Sequence, residues 1–99
     1  MKRVDADALY ALHAEYRRDL PNKVQSISAL WTARRISELH RALHTIAGSA
    51  GTFGLPELSA AAREAEHYLA ACGPTLDAGQ QAGFQRLLEA ICSRAASAR

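Results

Sequence analysis

The chain has 99 residues, of which 48% are hydrophobic and 22% charged, enough for one soluble-type domain with a single modest core, so residues 1–99 are read as one unit. Its net charge of +2 is too small to argue for nucleic acid, and Arg17, Arg18, Lys23, Arg34 and Arg35 form no stripe with interleaved aromatics. No apolar run approaches a membrane span and no signal-peptide pattern opens the chain, which makes the cytoplasm the expected location.

The elements read as helix after helix. Asp5 or Asp7 can cap a first, short helix whose apolar residues Leu9, Leu12, Tyr16 and Leu20 repeat on one side, expected to lie as a lid on the bundle. Pro21 is accepted in a first helical turn, so a second helix or a kinked continuation starts there. It carries Val24, Ile27, Leu30 and Trp31 inward and runs to about Arg34; Trp31, on that stripe, is read as core. Ser37 is the expected N-cap of the next helix, which ends near Gly54, a residue free to take positive φ. Leu39, Ala42, Leu43, Ile46, Ala50 and Phe53 give it one stripe to bury.

Pro56 opens another helix with a narrow, alanine-rich stripe of Leu58, Ala61, Ala62, Ala65, Leu69 and Cys72, closed by Gly73 and Pro74. Asp77 followed by Gln80 resembles a capping box for the last helix, which buries Phe84, Leu87, Leu88 and Ile91. Short links make sequential neighbours antiparallel. The expected fold is therefore all-α, an up-and-down antiparallel four-helix bundle with a short additional N-terminal helix, and a monomer. Cys72 and Cys92 are too few for a disulfide framework and fall inside helical patterns, where free thiols behave as small hydrophobes.

The stretch from Ser37 to Gly54 also carries the chemistry. At about 100° per residue, His44 falls roughly opposite Ile46, in the middle of the polar face. Around it, three, four and seven residues away, stand His40, Arg41, Ala47, Gly48 and Gly51. Each interior glycine costs a helix about 1 kcal/mol relative to alanine, so two beside one exposed histidine ask for a reason other than helix stability. Access is the simplest: with no side chains beside it, another molecule's surface can come down onto the ring.

The run His44, Thr45, Ile46, Ala47, Gly48, Ser49, Ala50, followed by Gly54, Leu58 and later Glu66, resembles the signature of histidine-containing phosphotransfer (HPt) domains of bacterial multistep phosphorelays. That pattern has the phospho-accepting histidine, an aliphatic residue two later, a lysine three later, glycine at four, a small residue at five, glycine at ten and leucine at fourteen. The chain departs from it once, with Ala47 at the lysine position. The resemblance implies that His44 accepts a phosphoryl group from a receiver-domain aspartyl phosphate and passes it to another receiver aspartate, with no independent catalytic activity. It implies response-regulator receivers and a hybrid sensor histidine kinase as partners, and a Mg²⁺ ion carried by the receiver rather than by this chain. Phosphoryl transfer is mainly a matter of positioning and charge compensation, for which Arg41, and Arg63 on the neighbouring helix, are the candidate cations. Ala47, Gly48 and Gly51 are expected to permit close approach. His40, Thr45, Thr52 and Leu55 are expected to complete the docking face, while Ser49 is expected to face a helix neighbour.

Other classes are less well served. His40 and His44, four residues apart, could clamp a metal ion, yet Arg41 stands where the zincin pattern needs glutamate, and His13, Glu66 and His67 lie elsewhere in the chain. No serine or cysteine nucleophile has a base and an orienting acid at motif spacing. The absent lysine leaves one more alternative, a degenerate module that binds a receiver without taking its phosphoryl group.

Overall fold

The computed structural model describes residues 6–98, with side chains from Ala8 onward. In that range the chain forms α1 (Ala6–Thr32), α2 (Ile36–Thr52), α3 (Pro56–Cys72) and α4 (Ala78–Ser97), with no strand among the described residues. Consecutive helices pack on one another and α4 returns to α1, so the up-and-down bundle closes on itself. Its core is the stripe of each helix meeting at the axis: Leu20, Ile27 and Trp31 from α1; Leu39, Leu43, Ile46 and Ala50 from α2; Leu58, Ala62, Ala65 and Leu69 from α3; Phe84, Leu88 and Ile91 from α4.

The short additional N-terminal helix is not a separate element. Pro21 lies inside α1, which runs unbroken through it. An interior proline removes one backbone hydrogen bond and costs about 3 kcal/mol. The two halves nevertheless stay joined, because Leu20 before the proline and Ile27 after it lie on one stripe and are both buried in the bundle. At 1.5 Å per residue, 27 residues span about 40 Å against about 25 Å for the 17 of α2. The first turns of α1 therefore overhang. Leu9 and Leu12 continue the bundle-facing stripe but stay 46% and 52% exposed, so the lid expected of this segment forms only over its second half, where His13, Tyr16 and Leu20 meet the bundle. The caps expected from Asp5 or Asp7 lie outside the described side chains. Where α1 does meet the bundle end, Tyr16 stacks on Phe53 at 4.6 Å between ring centroids, and its hydroxyl lies 2.7 Å from Ser49 Oγ.

The turns bracketing α2 share one hydrogen-bond pattern. After α2, Gly54 N–H donates to Gly51 O and Leu55 N–H to Ala50 O, a Schellman closure with Gly54 at φ 77°. After α1, Arg34 N–H donates to Trp31 O and Arg35 N–H to Leu30 O, with Arg34 in the left-handed position at φ 55°. A non-glycine residue is uncommon there. Arg34 is held by its guanidinium, which lies 3.8 Å from the centroid of the Trp31 ring and donates to Trp31 O and to Gln81 Oε1. Ser37 is not the N-cap of α2: Arg35 takes that place, because its N–H is committed to closing α1 and its carbonyl already accepts from Leu39.

The α3/α4 side follows the sequence closely. Pro56 opens α3 in its first turn, and the capping box is complete, with Gln80 N–H donating to Asp77 Oδ1 at 2.8 Å and Asp77 N–H to Gln80 Oε1 at 2.9 Å. Tyr68 Oη donates to Gln80 O at 3.0 Å over Gly83, where a Cβ would collide with the phenol. Burial pushes the Tyr68 hydroxyl above the ordinary phenol range, which keeps it a donor. Trp31 is core, as expected, its indole N–H donating to Gln85 Oε1 at 3.0 Å. Cys72 and Cys92 are both free and half-buried.

Candidate functional site

Burying Leu39, Leu43, Ile46 and Ala50 forces the opposite side of α2 outward, and there the His44 side chain is 75% exposed. Its environment is set from one flank. α3 runs alongside, bringing Ser59 Oγ to within 2.6 Å of Ala47 O, to which it donates, and Glu66 Oε1 to within 2.8 Å of His44 Nδ1. The Glu66 side chain is 13% exposed, so its carboxylate is mostly withdrawn from water and fixed in the α2/α3 seam. An ionised carboxylate can only accept, so beside it Nδ1 is the donor, and in the neutral ring the lone pair falls on Nε2. The ring is thus held at one nitrogen and free at the other.

The other expected site residues divide between the two flanks. Gly48 is open: a Cβ built there would meet nothing within 4 Å. Gly51 is exposed, but a Cβ there would sit 3.4 Å from Ser59 Oγ, so it serves the approach of α3 as well as any visitor. Ala47 does not belong to the docking face. It is 3% exposed, because α3 closes over it at the Ser59 contact, and the position that carries lysine in the family signature here faces a sister helix. Thr45 and Thr52 are exposed and return their hydroxyls to Arg41 O and Gly48 O one turn back. Leu55 is half-buried as the residue before α3, and Ser49 faces α1 through Tyr16, as expected. His40, at 40% side-chain exposure, has its Nε2 4.0 Å from the same Glu66 oxygen.

Arg41 and Arg63 are both exposed, and neither is held in an ion pair among the described residues. They stand on opposite sides of His44. Arg63 is one turn from both Ser59 and Glu66, the two α3 residues whose side chains hydrogen-bond to α2, which puts it on the seam side. Arg41 instead borders a groove of about 420 Å³ between α1 and α2, whose walls include Ile27, Leu30, Ala42, Thr45 and Ile46. His13 is turned away against Phe53, and among the described residues no three or more histidine, cysteine, aspartate or glutamate side chains are grouped to hold a metal ion.

The exposed histidine, the small open residue one turn on and the four-helix bundle beneath them agree with the family comparison. The model of the Hpt domain family matches residues 11–97, and the chain belongs to that family. Hpt domains work in phosphorelays by histidine phosphotransfer, with response-regulator receivers as their partners. No curated protein and no solved structure matched the chain. Among the described residues, no helix is long and apolar enough to cross a membrane.

Two features of the site lie outside what the sequence reading assigned. Glu66 entered it with the signature and as a remote metal ligand, but 22 residues and a helix turn separate it from His44, and no periodicity within one helix joins them. No periodicity within one helix joins Ser59 to Ala47 either. The available signal is the seven-residue spacing of Ser59 and Glu66, which puts two polar side chains on one face of α3.

Proposed function

We propose that His44 is the phosphoacceptor: it takes a phosphoryl group from the aspartyl phosphate of a response-regulator receiver domain and returns it to the aspartate of another receiver. One observation carries the reading, an imidazole exposed at Nε2 and anchored at Nδ1 by Glu66. In the forward step the Nε2 lone pair attacks phosphorus, the phosphorus–oxygen bond to the receiver aspartate breaks, and its electron pair leaves with the carboxylate. Nδ1 keeps its proton throughout, shared with Glu66. In the return step a receiver carboxylate oxygen attacks phosphorus, and the phosphorus–nitrogen pair goes back to Nε2. Because the proton at Nδ1 is already in place, the leaving group is neutral imidazole rather than imidazolate. A neutral, oriented imidazole needs no strong activating base.

Arg63 and Arg41 are the groups on this chain that meet the charge of the transferring phosphoryl, one from each flank, replacing the cation absent at Ala47. The receiver brings Mg²⁺, and the phosphoryl group originates from a hybrid sensor histidine kinase. Gly48, with Thr45 and Thr52 beside it, lets the receiver surface settle over the ring. Such encounters are small and transient, and need no large apolar patch.

The test is incubation with a receiver domain carrying a labelled aspartyl phosphate. Acid-labile, alkali-stable label is expected on the wild type and none on His44→Gln. Label retained by His44→Gln overturns the assignment, and receiver binding without any label makes the chain a degenerate docking module instead.

A further inference from the structure

Ser59 is the one buried polar side chain among the described residues, and its hydroxyl is used in an unusual direction. Ser26, Thr32, Thr45 and Thr52 return theirs to the carbonyl four residues back on their own helix. Ser59 Oγ instead crosses from α3 to α2 and donates to Ala47 O at 2.6 Å. α2 admits it because the positions around that carbonyl are small. Ala47 has only a methyl group, and a Cβ at Gly51 would already sit 3.4 Å from the hydroxyl.

This bond and the one between His44 Nδ1 and Glu66 Oε1 are the side-chain hydrogen bonds that cross from α3 to α2 among the described residues. Seven residues separate Ser59 from Glu66, which puts them on one face of α3 and about 10 Å apart along its axis. Between them α3 turns only alanines inward, Ala62 and Ala65, both fully buried. Apolar contact has no preferred direction, and small side chains offer little to stop one helix sliding on another. A hydrogen bond weakens steeply with distance and angle, so it resists such a slide. The carboxylate of Glu66 therefore holds the ring only while α3 keeps its register on α2.

We propose that Ser59 is a positioning residue for His44: its bond to the Ala47 carbonyl sets the register of α3 on α2, and that register puts Glu66 against Nδ1. In a neutral imidazole the hydrogen bond made at one nitrogen decides which nitrogen carries the proton, so Ser59 acts, through Glu66, on the tautomer of the ring. Its consequence for phosphoryl transfer rests on the reading of His44 as the acceptor; its consequence for the tautomer does not. Of the two glycines beside His44, Gly51 is then explained by the approach of Ser59, and Gly48 by access from outside.

The experiment reads the ring nitrogens of His44 by NMR on the whole chain at about pH 9, well above the usual histidine pKa of about 6.5, so that the neutral ring is observed. Ser59→Ala is expected to lower the ratio of the Nδ1–H to the Nε2–H form by about fivefold, the effect of one net hydrogen bond, in a protein still folded by circular dichroism. Ser59→Thr, which keeps a hydroxyl, should stay near the wild type. Ser59→Cys, close to serine in size but only a weak donor, should behave as Ser59→Ala and serves where alanine loosens the fold. In a Glu66→Ala background the ratio is already low, and adding Ser59→Ala should change nothing further, because Ser59 acts through that carboxylate. An unchanged ratio in folded Ser59→Ala overturns the proposal, as does a further drop when Ser59→Ala is added to Glu66→Ala. Phosphoramidate labelling separates the two readings. If the ratio moves as expected and His44 is never labelled, the acceptor reading falls and this inference stands; if His44 is labelled and the ratio does not move, this inference alone falls.

Discussion

The two flanks of α2 are built on opposite plans. Toward α3 the helix is fastened: Ser59 bonds to the Ala47 carbonyl, Ala47 is buried, and Glu66 grips Nδ1 of His44. Toward α1 it is left open, with Arg41, Thr45 and the bare Gly48 bordering or overlooking a groove. The contrast leaves His44 both fixed in orientation and accessible. If His44 is the acceptor proposed above, one flank orients the ring and the other leaves room for the receiver.

Breaking the fastened flank should have the largest effect. Glu66→Ala removes the grip on Nδ1, and misplacing a reacting atom by about 1 Å can cost on the order of 100-fold, so the rate of phosphoryl acceptance is expected to fall by about 10- to 100-fold with the fold intact by circular dichroism. The two arginines divide the flanks next. Arg63→Ala and Arg41→Ala are each expected to slow transfer by about tenfold at low ionic strength, a loss that shrinks as salt screens exposed charge. Equal losses would mean that the phosphoryl group is met from both sides; a loss confined to Arg63→Ala would place it over the seam. Ser59→Ala leaves the buried Ala47 carbonyl without its side-chain donor and should cost about 1 to 2 kcal/mol of stability in urea unfolding. Gly48→Ala is expected to do the reverse, adding about 0.5 to 1 kcal/mol of helix stability because its Cβ meets open space, while weakening receiver binding. A glycine there that can be replaced without losing receiver affinity would break the comparison.

Much of this was legible in the chain because the decisive signals are local. The stripes of α2, α3 and α4 follow a period of 3.6, and Gly54, Pro56 and the Asp77/Gln80 pair mark boundaries by their own backbone chemistry. His44 could be placed outside from the stripe opposite it. What depended on another helix could not be read in this way. Ala47 and Gly48 are adjacent and both small, yet α3 covers one and leaves the other bare, and only the packing decides which. Pro21 marked a boundary by local rule, and burial on both sides of it overrode that rule. Ser37 lost the cap to Arg35 because the preceding turn had already claimed the backbone at that point.

The anchoring of His44 also bears on which chemical species the domain would hold. Imidazole can be phosphorylated at either nitrogen, giving two regioisomers that differ in reactivity, and a freely spinning ring would sample both. With one nitrogen engaged by a carboxylate that α3 keeps in place, only the outer one is offered. If His44 is the acceptor proposed above, a group carried on this ring would be one isomer, and every receiver that docks would meet the same bond to break.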